Sequence, residues 1–279
     1  MRNLCAGVVV GLALTVAPQS ERAASAAAAP TVAKPHQPLA SHKAIYELTL
    51  LRTKAGDGVR AARGSMIYTL ADRCDGYTIE SSIAMELAFA DGNTQKVDQR
   101  YASWEAKNGR FSSFTMHTLE NGKPAKTYRG TITLKEDGSG TATYEGEKTA
   151  RFDLAPGTLL STAHTVALLE SAAAGKKFFS SAVIDGSFDQ GPFVVTAAIA
   201  GSRKAGAVLQ KEDPAAVSGG AYFPMSLAYF PASSTAPIPE YELGMQILPS
   251  GISRAMTQDF GAFTIGFKLI DLEPVKPEC

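Results

Sequence analysis

The sequence DGYTIESSIAMELAFADG, residues 75–92, decides the fold class. Tyr77 to Phe89 forms a long alternating run, bracketed by Asp75-Gly76 and Asp91-Gly92. Period-two alternation marks a strand with one buried face. Asp-Gly is a strong hairpin signal because tight turns need residues that accept positive φ. The same punctuation recurs outward from this run, at Asp57-Gly58, Asn108-Gly109, Asn121-Gly122 and Asp137-Gly138, every 13–18 residues. That spacing predicts long antiparallel strands in a meander. Upstream, Ile45 to Leu50 is a strand with Tyr46, Leu48 and Leu50 on one face and Ile45, Glu47 and Thr49 on the other. Ser65 to Leu70 is a second.

The rhythm breaks at Asp153-Leu154-Ala155-Pro156-Gly157. A helix is predicted from Leu159 to Ala174, with Thr158 as its cap, Gly175 at the C′ position and Lys176-Lys177 at its negative end. Its apolar surface is wide: Leu159, Leu160, Ala163, Val166, Ala167, Leu169 and Ala173. Such a helix is expected to lie buried against a concave sheet. Strands resume at Phe178 and continue to the last, Phe263 to Leu272, in which Phe263, Ile265, Phe267 and Leu269 share a face. The pattern amounts to about a dozen strands and one substantial helix.

A formal net charge of zero gives no reason to expect nucleic acid or an anionic surface as partner. At the N-terminus, Arg2, an apolar stretch from Leu4 to Val16 and Ala24-Ser25-Ala26 have the pattern of a cleavable signal peptide, taken as residues 1–26. The apolar stretch is shorter than the roughly 20 residues a spanning helix needs. Residues 27–40 are Ala- and Pro-rich and read as a flexible leader, and 41–279 as a single β domain. Cleavage removes Cys5 and leaves Cys74 and Cys279. In an oxidising compartment two remaining cysteines usually pair, and two free thiols are the other reading. A bond between them would close a loop of about 206 residues.

Chemistry is thinly signalled. His36, His42, His117 and His164 have no metal-ligand spacing, and no HExxH or paired CxxC occurs. No GxSxG, GxxxxGK[ST] or GxGxxG is present, so neither an enzyme nor a cofactor is expected. His117 reads as an exposed strand residue. His164, on the helix, is the histidine to follow into any cleft. Tyr46, Tyr68, Tyr77, Phe89, Tyr101, Trp104, Phe111, Phe114 and Tyr128 punctuate the first strands. They are ordinary core or the lining of a cavity for a lipid or an extended apolar segment.

Three stretches, Ser41-His42-Lys43-Ala44-Ile45-Tyr46, Arg63-Gly64-Ser65-Met66-Ile67-Tyr68 and Cys74-Asp75-Gly76-Tyr77, resemble the cell-envelope integrity proteins of the EipB family. The helix, the Asp185-Gly186-Ser187-Phe188-Asp189 turn and the terminal cysteine are similar too, so the resemblance covers nearly the whole mature chain. It implies a periplasmic β-spiral, an incompletely closed barrel of about fourteen strands similar to the lipoprotein carriers LolA and LolB. It also implies a disulfide from Cys74 to Cys279, a non-enzymatic role in envelope integrity, and a periplasmic tetratricopeptide-repeat protein as the type of partner. It supplies no catalytic, metal or ligand-binding residues. The expected function is therefore a binding factor for a protein or envelope component. The alternative is a lipid or lipoprotein carrier with the helix as lid over an apolar cavity. In either case the bond is expected to tie the C-terminal tail to the early sheet of a barrel that hydrogen bonds leave open.

Overall fold

A computed structural model describes residues 39–54, 58–187, 191–204 and 220–277. The signal peptide and most of the leader expected from the sequence, and Cys279, lie outside the described residues. The first half is a meander of eight strands: β1 (His42–Thr53), β2 (Val59–Asp72), β3 (Gly76–Phe89), β4 (Thr94–Ala106), β5 (Phe111–Glu120), β6 (Lys123–Leu134), β7 (Gly140–Glu145) and β8 (Ala150–Leu154). Then come β9 (Leu159–Leu160), the helix α1 (Ser161–Ala173), β10 (Phe178–Ile184), β11 (Phe193–Ile199), β12 (Arg203–Lys204), β13 (Ala221–Pro231), β14 (Tyr241–Ile247), β15 (Ser253–Asp259) and β16 (Phe263–Pro274).

Fifteen strands form one path, running β8 to β1 in reverse order, then β16, β15, β14, β13, β11, β10 and β9, while β12 pairs β13. Every partnership is antiparallel except β9 with β10. Alternation sets the faces as expected: Ala44, Tyr46 and Leu48 point into the core while Glu47 and Thr49 are exposed. Gly58, Gly92, Gly109, Gly122 and Gly138 have the positive φ that their turns demand. Asp75-Gly76 does not follow that rule. The left-handed residue there is Cys74, at φ 71°. Gly76 instead opens β3, and its missing side chain leaves room for the Trp104 indole, which lies 2.4 Å from where a Cβ would stand.

The pairing of β1 with β16, from His42↔Pro274 to Thr53↔Phe263, joins the two ends of the domain by backbone hydrogen bonds. The expected opening is therefore not at the C-terminus. It lies between β8 and β9, the free ends of the strand path, which only residues 155–158 separate in sequence. Side chains close this seam. Phe114, Ile132, Tyr144 and Leu154 from the β5–β8 side pack with Leu160 and Ile184 from the other. The Tyr101 hydroxyl donates to the Asp185 carbonyl, and the Tyr128 hydroxyl donates to the Ser187 carbonyl at 2.7 Å. Gly186, at φ 77°, lets the turn sit against the Phe114 ring.

The helix lies inside the curl. Leu168, Leu169 and Ala172 pack with Leu70, Tyr77 and Ile79 on one wall and with Val195, Leu227 and Ile247 on the other. It starts two residues later than expected, because Leu159 and Leu160 are recruited as a strand beside Val183 and Ile184. Thr158 does not cap it; its hydroxyl donates to the Ala155 carbonyl. The C-terminus ends as expected. Gly175, at φ 72°, donates to the Ala172 carbonyl and Lys176 to the Ser171 carbonyl, the paired bonds of a Schellman motif. Its buried face differs from the expected one: Thr162, His164, Leu168, Leu169, Ser171 and Ala172 are buried, whereas Ala173 is exposed. Leu39, expected in the flexible leader, is buried against Gly251, and Ala40 N–H donates to the Ser250 carbonyl.

Candidate functional site

Helix and sheet do not fill the interior. A cavity of about 380 Å³ lies between α1 and the inner faces of strands from both halves. This is within the range of about 300–1,000 Å³ for small-molecule sites. Four methionines, Met66, Met116, Met245 and Met256, line it together with Ile79, Ile83, Leu227, Leu243 and Phe267. Methionine side chains adapt their shape, which suits a pocket for a flexible apolar ligand. Tyr68, Tyr101, Tyr229, Gln99, Gln258, His164 and Asp185 are among its polar lining, and among the described residues no Lys or Arg lines it.

His164 comes from the second turn of α1 and is 5% exposed. Its Nε2 has no hydrogen-bond partner, and its ring tilts against Phe179 at 5.9 Å. Burial lowers its pKa to about 4, so the imidazole is neutral at pH 7 and keeps one acceptor nitrogen. Asp185 follows β10. Its Oδ1 accepts from the Ser187 N–H at 2.8 Å and from the Ser187 hydroxyl at 2.7 Å. Burial raises its pKa against the pull of those bonds. His42 is buried beside Tyr68, with Nδ1 2.7 Å from the Ala40 carbonyl.

Behind this wall lies Glu105, which is fully buried. It stands on the inner face of β4, opposite Tyr77 on β3 and Ser112 on β5. Its Oε2 accepts from the Thr162 N–H at 2.9 Å and from the Thr162 hydroxyl at 2.6 Å. The residue at the helix N-cap is Leu160, which has no capping side chain. A carboxylate from a strand therefore satisfies the helix's first donors and complements its positive end. Burial nonetheless dominates and pushes Glu105 up to about 7, while the Thr162 bonds oppose the rise.

The remaining residues singled out from the sequence are dispersed. His117 is exposed on β5, as expected. Among the described residues no three His, Cys, Asp or Glu side chains gather as metal ligands. Cys74 stands in the turn between β2 and β3. Its N–H donates to Asp72 Oδ1 at 2.8 Å, and Lys107 Nζ lies 2.6 Å from the same oxygen, so its left-handed turn is held on both sides. Glu105 and Asp185 were not picked out as site residues. Glu105 shares the alternating inner face of Tyr101 and Ser103, and a lone acid on an otherwise core-facing register was the available signal. Asp185 had the look of an ordinary Asp-Gly turn.

Three comparisons place the chain among known proteins. A family model described as EipB-like matches residues 33–276. The chain is 28% identical over 237 residues to the cell envelope integrity protein EipB of Brucella abortus (strain 2308), covering 84% of each. A crystal structure from Brucella abortus, described as a beta-barrel-like protein of a domain of unknown function, superposes with a TM-score of 0.78 at 27% identity. That match covers 86% of this chain and all of the other.

Proposed function

The chain belongs to the EipB-like family, and from that premise we propose that it serves cell-envelope integrity as a non-enzymatic periplasmic binding factor whose interior cavity holds the apolar part of an envelope component. The cavity carries the reading. A structural barrel would gain stability by packing its centre, because each unfilled methyl-sized space costs about 1 kcal/mol. This interior instead keeps about 380 Å³ open beneath a helix, with adaptable side chains around it. The observation favours the carrier form of the function, with α1 as part of the wall, over binding at the rim alone. Protein purified from a bacterial periplasm is expected to show, by native mass spectrometry, a fraction carrying a bound mass that organic extraction removes. Only ligand-free protein, isolated under mild conditions at several expression levels, would overturn the reading.

The proposal includes Cys279 as the partner of Cys74. Val275 N–H donates to the Ser41 carbonyl, and the Ser41 hydroxyl accepts from the Asp72 N–H at 2.8 Å. The tail therefore leaves the sheet at the rim where β2 ends, two residues before Cys74. Four further residues reach about 13 Å. The two strand spacings to be crossed amount to about 10 Å.

A further inference from the structure

The cavity's wall carries a charge asymmetry that decides what kind of polar end a ligand can have. Its described lining includes Asp185 and contains no Lys or Arg. Fully buried Glu105 lies directly behind it, on the helix's first turn. His164 is uncharged, and its buried Nε2 has no hydrogen-bond partner among the described residues. The Tyr101 hydroxyl is already engaged with the Asp185 backbone. A carboxylate or phosphate brought here would face Asp185 and no cation in the described lining, with only neutral donors such as Gln99 and Gln258 to meet it. Burying an unpaired anion is among the most costly steps in binding. A hydroxyl or amide could donate to the Asp185 carboxylate, the one acid in the described lining.

We infer that the cavity selects long-chain amphiphiles whose polar end is uncharged and donates hydrogen bonds, and excludes those ending in a carboxylate or phosphate. The apolar chain lies along the methionine-lined wall, and the head faces Asp185 and His164. This rests on the ligand-cavity reading of the preceding section and sharpens it to a chemical class.

The test uses delipidated protein and two probes of equal chain length, monolauroylglycerol and laurate, titrated below their critical micelle concentrations at pH 8 by calorimetry. Monolauroylglycerol is expected to bind at least tenfold more tightly than laurate. Asp185→Asn is expected to narrow that ratio at least threefold, mainly by improving laurate. Equal or tighter binding of laurate by the wild-type protein overturns the selectivity and leaves the cavity reading standing. Failure of both probes to bind overturns the cavity reading and the selectivity together. The wild-type comparison decides the matter even if Asp185→Asn fails to fold.

Discussion

Cys74→Ser is expected to lower the stability of the oxidised protein by about 2–5 kcal/mol and to reduce its steady-state level in the cell. The chain-entropy treatment gives roughly 5 kcal/mol, as an upper figure, for a loop as long as the one a Cys74–Cys279 bond would close. The effect acts mainly on the unfolded chain. It therefore does not require the bond to bridge the opening of the barrel, and the fold shows that it would not. Eleven register positions already pair β1 with β16. The bond would reinforce that closure against fraying of the last strand. Cys74 holds a left-handed φ of 71°, which costs a non-glycine residue on the order of 1 kcal/mol. Serine at the same position bears the same cost, so the difference reads the bond. The measurement is a denaturant midpoint with and without reductant. Wild-type protein should lose stability on reduction to the level of Cys74→Ser, and the variant should not respond. A variant as stable as wild type that lacks only biological activity would mean the bond is not a structural staple.

The second large effect belongs to Glu105. Burial raises its pKa to about 7, whereas in the unfolded chain it titrates near 4.5. Between these values the folded protein binds more protons than the unfolded chain at this site. Glu105 therefore subtracts stability as pH rises from about 4.5 to about 7, and no more above that. The shift corresponds to about 3 kcal/mol. Buried His164 works in the opposite direction. Its folded pKa is lowered to about 4, so its contribution rises with pH up to its unfolded value of 6.5. His42 is lowered too and adds to that rise. The two slopes largely cancel in the wild-type curve and separate in Glu105→Gln. The amide keeps an acceptor for the Thr162 N–H and removes the acid titration. The stability of the variant relative to wild type should therefore improve by about 3 kcal/mol between pH 4.5 and 7.5. A difference that stays constant with pH would show that Glu105 is not desolvated as described.

The meander could be read from residues 41 to 145 because each strand carries its own alternation and each turn its own Asp-Gly or Asn-Gly. What stayed hidden depends on distant partners. Gly76 resembles a turn glycine, but its role is set by Trp104, one strand away. Leu159 and Leu160 fit the helix pattern, and only Val183 and Ile184 beside them make them a strand. The helix's apolar surface was nearly continuous, so periodicity could not say which face turns inward. The seam between β8 and β9 was unreadable for a similar reason, since alternation fixes faces and not neighbours. The cavity was legible only as an option, a series of aromatics that could be core or lining. Its polar wall draws on α1, β2, β4, β13, β15 and the turn after β10, and no local pattern brings those together.

The most direct test of the account is whether the open interior is what the envelope role uses. Ser81 faces the cavity between Tyr68 and Tyr101, and Leu243 faces it from β14. Ser81→Phe with Leu243→Trp would fill the space from two walls. The double variant should be produced in a host strain lacking the native gene, at wild-type level and with an unreduced melting temperature, and scored for survival in detergent that stresses the envelope. The account predicts that this folded, cavity-filled protein protects no better than the empty vector. Full protection by it would contradict the account and move the function to the outer surface.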